Sequence, residues 1–278
     1  MGILRPSTDV DRLELRMPRF FQAPLPSTLP PRRYHPVRLL AACLLACVAV
    51  LLLPSPAAAQ PQAEPERLDV PGTAQAFYFK PRFKKAKRVV VWMHGRGGNP
   101  HDDCLKWSRV ATDFGYLLCP SGQEDYGGGA RSWSNDWLNA QRVIDNALAA
   151  LRRKHPDAQR QGNILIGFSE GAFAAQNIGV REPRVFDRWL ILASAARYWG
   201  GPGLEALEHN RRSLKRVYLL TGALDSPVLE ESRLAYDILK KNKVHTRLRI
   251  VRDMGHEVPA SRMRQLYHQP LSWLVNGH

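Results

Sequence analysis

The chain has 278 residues, 44% hydrophobic and 23% charged, enough apolar material for one large packed domain or two small ones. Its balance is basic, 40 Lys and Arg against 25 Asp and Glu, and the net charge of +15 makes a polyanion the first partner to weigh. It carries no internal repeat and no zinc, P-loop or dinucleotide signature, which excludes the classes those motifs define, and no metal or other cofactor is expected.

Residues 1–36 are rich in Pro and Arg without a hydrophobic period. Arg32, Arg33 and Arg38 lead into the uniformly apolar residues 39–53, which end at Pro54-Ser55-Pro56-Ala57-Ala58-Ala59-Gln60. Basic flank, apolar stretch and an Ala57-x-Ala59 site predict a leader and signal peptide over residues 1–59, cleaved after Ala59, and a periplasmic or secreted product. A helix of such length reaches only about 22 Å against a hydrocarbon core of about 30 Å, which disfavours an uncleaved anchor. Leu40-Ala41-Ala42-Cys43 resembles a lipoprotein box, but little apolar sequence precedes Cys43, so lipidation is not expected. The stretch before Arg32 is long for a signal, so either Met17 is the true start or the first residues form a disordered leader.

Residues 60–66 form a short Pro/Glu linker, and residues 67–278 then alternate strand and helix signals as a single domain. Two strand-like runs, 67–70 and 76–79, precede Arg88-Val89-Val90-Val91-Trp92-Met93, which reads as a buried strand. It enters the loop His94-Gly95-Arg96-Gly97-Gly98-Asn99-Pro100, with Cys104 in a helix just beyond, and Tyr116-Leu117-Leu118-Cys119 is the next buried strand. A Gly-rich aromatic loop over residues 126–133 leads to a helix over 136–155, where Ala140, Ile144, Ala147, Leu148 and Leu151 recur at helical spacing and Pro156 is the stop. Ile164-Leu165-Ile166 is a strand, residues 172–178 a small-residue helix, and 188–193 and 217–220 further strands. Ser226-Pro227 caps and opens a helix to about Lys241, residues 248–251 form a strand, and two short helices separated at Pro270 close the chain. Alternation of this kind predicts an α/β fold, a mostly parallel sheet covered by helices on both faces. Only about twenty residues separate the strand ending near Ala193 from the one starting at Val217, too few for a large helical lid, so the site is expected to be open.

The chemistry centres on Gly167-Phe168-Ser169-Glu170-Gly171, which sits directly after a strand and before a helix. A serine there is forced into a tight, strained turn that lifts its hydroxyl above the sheet, over the amides of the next helix. A Ser hydroxyl needs a base, and His256 in Asp253-Met254-Gly255-His256 is the choice. Asp225, just past the 217–220 strand, is the best orienting acid, ahead of Asp253 and Glu230; an ordinary helix-capping role is its alternative. The expected oxyanion donors are the backbone N–H groups of Arg96 and Glu170, each worth about 3 kcal/mol to a transition state. Because both are main-chain groups, their side chains are expected to matter far less than that of Ser169. His94 reads as a loop-ordering residue, and Trp133, Tyr198 and Trp199 as substrate-rim residues unless they pack on the body of the domain.

The order Ser169, Asp225, His256 resembles that of the α/β-hydrolase family over roughly residues 68–276. The plain H-G-x-G-G segment and short loops look most like small serine carboxylesterases and dienelactone-hydrolase-like esterases, with serine where many of the latter use cysteine. The resemblance implies an exported hydrolase of carboxylic esters acting through an acyl-enzyme. Gly255 and Pro259 around His256 match the family's tight turn. A peptidase or thioesterase with the same machinery and a non-catalytic binding module are the alternatives, since the leaving group is not encoded in these motifs.

Residues 60–278 keep 33 basic and 22 acidic residues, a net of +11. Lys84-Lys85-x-Lys87-Arg88 and Lys215-Arg216 precede strands, whereas Arg152-Arg153-Lys154 and Lys240-Lys241-x-Lys243 end helices, where cations are favoured by the dipole. A solvated face opposite the site is therefore expected, with no specific nucleic acid and at most weak association with an anionic envelope surface. Cys104 and Cys119, the cysteines beyond the leader, are the disulfide candidates.

Overall fold

Along the three central strands every side chain except Phe168 is buried, and successive residues enter different cores. Val89, Val91 and Met93 join one hydrophobic cluster while Val90 and Trp92 join the other. The same alternation separates Leu165 from Ile164 and Ile166, and Trp189 and Ile191 from Leu190 and Leu192. A strand with no wet face must be covered on both sides, which is why these runs read as continuous apolar segments.

The computed structural model describes residues 63–194, 196 and 201–277. The leader with its cleavage point after Ala59, Met17 and Cys43, and the rim candidates Tyr198 and Trp199, lie outside the described residues. The elements in chain order are β1 (Glu66–Leu68), β2 (Ala76–Phe79), β3 (Val89–Met93), α1 (Pro100–Ala111), β4 (Tyr116–Cys119), β5 (Glu124–Gly127), β6 (Ala130–Ser132) and α2 (Trp137–Lys154). They continue with β7 (Ile164–Phe168), α3 (Glu170–Arg181), β8 (Arg188–Leu192), α4 (Gly201–Asn210), β9 (Arg216–Gly222), α5 (Ser226–Lys241), β10 (Thr246–Val251) and α6 (Met263–Asn276). Eight strands form one sheet in the order β1-β2-β4-β3-β7-β8-β9-β10. From β4 to β10 the neighbours are parallel, while β2 is antiparallel to both β1 and β4. Helices α2, α3, α4 and α5 supply the core on one face, and α1 and α6 supply it on the other. This is the doubly covered α/β arrangement that the sequence pattern predicts. Among the described residues no helix is long and apolar enough to cross a membrane.

Four details differ from the sequence reading. The Gly-rich segment near Tyr126 is a two-stranded hairpin, β5 with β6, whose Gly127, Gly128 and Gly129 all take positive φ; an isolated bridge from Arg131 to Gly98 ties it to the loop after β3. A ten-residue helix, α4, occupies the interval before β9. The N-cap of α5 is Asp225 and not Ser226, which is already the first helical residue before Pro227. Finally, α6 runs unbroken through Pro270. Proline removes the N–H that would reach Leu266 O, but Arg249 Nη1 donates to that carbonyl at 3.3 Å, so the helix continues without an orphan acceptor.

Candidate active site

The turn from β7 into α3 places Ser169 at φ 54° and ψ −117°, a region costing a non-glycine residue about 1–3 kcal/mol. Its neighbours make the turn possible. A Cβ on Gly171 would collide with the carbonyl oxygens of Met93 and His94, and one on Gly167 with Gly171 O, so both glycines are dictated by backbone packed on backbone. Ser169 N–H donates to Leu192 O at 3.2 Å and its carbonyl accepts from Ala172 and Phe173, which fixes the main chain and leaves the hydroxyl uncommitted to the helix.

That hydroxyl meets His256, whose Nε2 lies 2.8 Å from Ser169 Oγ. The other ring nitrogen, Nδ1, lies 2.6 Å from Asp225 Oδ2. The loops carrying Asp225 and His256 are stitched together by Ala223 N–H to Val251 O at 2.9 Å and Leu224 N–H to Met254 O at 3.0 Å. The Phe168 ring packs 4.9 Å from the imidazole and was not anticipated in the sequence. The Asp225 side chain is 9% exposed and that of His256 42%, so the carboxylate is shielded while the imidazole reaches solvent. The other acid candidates are spoken for, Asp253 by Arg262 at 2.9 Å and Glu230 by Arg233 at 2.6 Å.

Beside Ser169 runs the loop after β3. A Cβ on Gly95 would sit 2.9 Å from the Phe168 ring and 3.4 Å from Ser169 Cβ, so only glycine lets this loop close on the hydroxyl. Gly97 N–H donates to Arg131 O and Gly98 N–H to Gly95 O, whereas among the described residues the Arg96 and Glu170 amides pair with no backbone carbonyl. His94 is completely buried and stacks on Trp133 at 4.9 Å. Its tautomer follows from its partners: Nδ1–H donates to Gly95 O at 2.7 Å, and Nε2 accepts from Gly122 N–H at 3.0 Å. Burial pushes its pKa below the ordinary value, consistent with a neutral ring that orders two loops.

Trp133 corrects an expectation. It is 0% exposed, donates Nε1–H to His94 O at 2.8 Å and its amide to Glu170 Oε2, so it belongs to the core beneath the loop and not to a substrate rim. A buried indole needs an acceptor, and the His94 carbonyl supplies it. The Glu170 side chain also departs from expectation, because it is buried and bonded to Arg96, Ser132, Trp133 and Asn135. No periodicity marks it; the one sequence cue is an acidic residue inside an otherwise small and apolar elbow.

A cavity of about 170 Å³ lies under the Arg96 loop, walled by Trp92, Gly95, Arg96, Lys106, Phe168 and Val258; neither Ser169 nor His256 lines it. Cys104 on α1 and Cys119 at the end of β4 are joined as a disulfide with Cα atoms 5.7 Å apart, which fastens the helix following the Arg96 loop to the sheet. Among the described residues no group of three His, Cys, Asp or Glu side chains is placed to hold a metal ion.

No protein-family model matches the chain, and no curated protein sequence matches it. Solved structures do. Esterase PE8 superposes with a TM-score of 0.56 at 23% identity, covering 75% of this chain and 100% of that one. The acylaminoacyl peptidase of Pyrococcus horikoshii gives 0.56 at 17%, covering 77% of this chain and 41% of that one, so this chain spans well under half of that protein's length. The Bacillus cereus carboxylesterase gives 0.51 at 16%, covering 73% and 94%. The chain has the α/β-hydrolase fold.

Proposed function

We propose that the protein is an exported serine hydrolase that cleaves carboxylic esters through an acyl-enzyme. One observation carries the reading: a strained, helix-facing serine whose hydroxyl is 2.8 Å from an imidazole that is itself 2.6 Å from a shielded carboxylate. In the first step His256 Nε2 takes the Ser169 proton as Oγ bonds to the ester carbonyl carbon, and the carbonyl electron pair moves onto oxygen. The Arg96 and Glu170 amides receive that oxyanion. Asp225 holds His256 with Nδ1–H toward it and stabilises the imidazolium. Collapse of the adduct expels the alkoxide, which takes the proton from Nε2–H, and the acyl group stays on Oγ. Water then enters and gives a proton to His256 Nε2 as its oxygen bonds to the acyl carbon; collapse breaks the acyl–Oγ bond, Nε2–H returns the proton to Oγ, and the acid leaves.

The imidazole is 42% exposed, which leaves room for a bulky substrate to lie outside the site. Fold-level likeness to esterase PE8, the Bacillus cereus carboxylesterase and the Pyrococcus horikoshii acylaminoacyl peptidase supports a hydrolase without favouring one bond. Export is supported by the signal-like residues 32–59 and by a disulfide, which persists in oxidising compartments. The test is a fluorophosphonate label with short p-nitrophenyl esters: wild type is expected to label at Ser169 and turn over, and Ser169→Ala to do neither. An inert wild type, or a label elsewhere, overturns the reading, and a matched amide and thioester panel decides the bond.

A further inference from the structure

Glu170 follows Ser169 directly and opens α3, yet its side chain is only 3% exposed. A carboxylate that deep is costly unless its lone pairs are met. Oε1 accepts from Arg96 Nε at 3.1 Å, from Arg96 Nη2 at 2.9 Å and from the Asn135 amide at 3.3 Å. Oε2 accepts from Ser132 Oγ and from the Trp133 amide, both at 2.9 Å. An acidic residue in a first helical turn is ordinarily explained by the helix dipole or by capping. These donors all come from outside α3, so that explanation accounts for the charge but not for where it points.

The donors belong to two segments, the glycine-rich loop after β3 and the link from β6 to α2, which also touch through the Gly98–Arg131 bridge and Trp133 Nε1–H on His94 O. The second is strained, with Ser134 and Asn135 at φ 52° and 53°. Glu170 holds the Asn135 amide directly and the Ser134 amide through Ser132 Oγ, which accepts it at 3.0 Å. In the first, backbone bonds from Gly97 N–H to Arg131 O and Gly98 N–H to Gly95 O follow Arg96 without engaging its own amide, and the Arg96 side chain is tied down by Glu170.

We infer that the Glu170 side chain is a positioning residue for the oxyanion cradle, fixing the Arg96 main chain against the Glu170 main chain so that both amides address one oxygen. The inference rests on the ester-hydrolase reading above. One residue thereby supplies an amide to the cradle and, through its carboxylate, sets the place of the other amide. Displacing such a donor by a fraction of an ångström weakens it where charge develops and leaves ground-state binding nearly intact.

The test compares wild type with Glu170→Gln and Arg96→Met on p-nitrophenyl acetate and butyrate, together with inhibition by an alkylboronic acid, whose tetrahedral adduct on a serine places an anionic oxygen in the same cradle. Each variant is expected to lose about 10²-fold in kcat with KM changed less than about threefold. Boronate affinity is expected to fall in parallel with kcat, and the double variant to be scarcely worse than either single one. Retention of kcat within about threefold in both variants, or a loss carried by KM, overturns the positioning role. Should Glu170→Gln fail to fold, Arg96→Met decides alone, since that side chain is 53% exposed. A wild type that neither hydrolyses esters nor labels at Ser169 overturns the ester reading itself; an active wild type with indifferent variants overturns only the role of Glu170.

Discussion

Asp225 occupies the N-cap of α5 but gives that helix no side-chain hydrogen bond; its Oδ2 lies 2.6 Å from His256 Nδ1 instead. Aspartate is favoured at an N-cap because its oxygen ordinarily accepts from an amide one turn in. Here the position brings the carboxylate to the end of β9 while the bond goes to a loop that follows β10. The helix start is then completed by Pro227, which has no N–H to satisfy.

Asp225→Asn therefore separates two roles. An amide in place of the carboxylate no longer fixes the imidazole tautomer or stabilises its charged form, and kcat is expected to fall by about 10⁴-fold, the size such a change has in serine proteases. Stability is expected to hold, because no capping bond is lost. A thermal unfolding midpoint within about 3 °C of wild type corresponds to less than about 1 kcal/mol. A larger drop with activity preserved would make Asp225 a cap and nothing more.

The elbow permits a sharper test of packing. Gly171→Ala drives a methyl into two carbonyl oxygens of β3 and its loop, neither of which can rotate away. A loss of about 3 kcal/mol, the upper end for overpacking, is expected in urea unfolding, together with loss of Ser169 labelling as α3 is pushed off β3. Gly201→Ala is the control. It lies in α4 with nothing within 4 Å of the new methyl, and is expected to be neutral or stabilising by up to about 1 kcal/mol.

Burial lowers the pKa of His94 below its ordinary 6.5, which makes a signed prediction for pH. The unfolded chain protonates this ring more readily than the folded one, so its contribution is fully present above about pH 6.5 and is lost as pH falls toward the folded value. An imidazolium there would also lose the acceptor for Gly122 N–H. Urea midpoints are expected to decrease from pH 7.5 to 5. His94→Gln is expected to be less stable at pH 7.5 but to show a shallower slope. The slope does not vanish, because burial depresses His155 in the same direction. An unchanged slope in the variant would mean that His94 is not the responsible group.

How far the sequence discloses this architecture depends on the range of the interactions involved. The central strands are legible because a strand buried on both faces needs an unbroken apolar run, as in Val89-Val90-Val91-Trp92-Met93. Ser169, Asp225 and His256 are legible because parallel strands bring their C-terminal ends to one edge, so each residue's place after a strand suggests where it arrives. Where placement depends on partners distant in the chain, the pattern is silent. The β5 strand Glu124–Gly127 is exposed throughout and shows no alternation to read. Trp133 in a Gly-rich stretch looks like a rim residue until the His94 carbonyl, 39 residues away, is seen to accept its indole N–H. The Glu170 carboxylate finds Arg96 across 74 residues, a relationship no local period encodes.

The disulfide between Cys104 and Cys119 closes a loop with a sequence separation of 15. A loop of that size is worth about 3 kcal/mol in the chain-entropy account. Both sulfurs are buried in the core that contains Trp107 and Leu117, so Cys104→Ser with Cys119→Ser adds two poorly accommodated hydroxyls. The Ala pair is the cleaner variant. Cys104→Ala/Cys119→Ala is expected to lose about 3 kcal/mol in urea unfolding. Wild type treated with a reductant under denaturing conditions and refolded reduced is expected to match it. Equal stability of oxidised and reduced protein would contradict a structural bond.

The continuity of α6 through Pro270 makes a prediction about coupling. In a regular helix the amide of residue 270 would donate to Leu266 O; here Arg249 Nη1 does so from β10. If the guanidinium stands in for the missing N–H, removing it matters only while proline is present. Arg249→Leu is expected to cost about 1 kcal/mol in the wild-type background, the net worth of one hydrogen bond. With Pro270→Ala supplying a backbone donor to the same carbonyl, the same substitution is expected to cost close to nothing. The double-mutant cycle then returns a coupling of about 1 kcal/mol between residues that contact through a carbonyl belonging to neither. Additive effects would show that the helix tolerates Pro270 through its packing alone, since Leu271, Trp273 and Leu274 beyond it are fully buried and hold the last turns against the sheet.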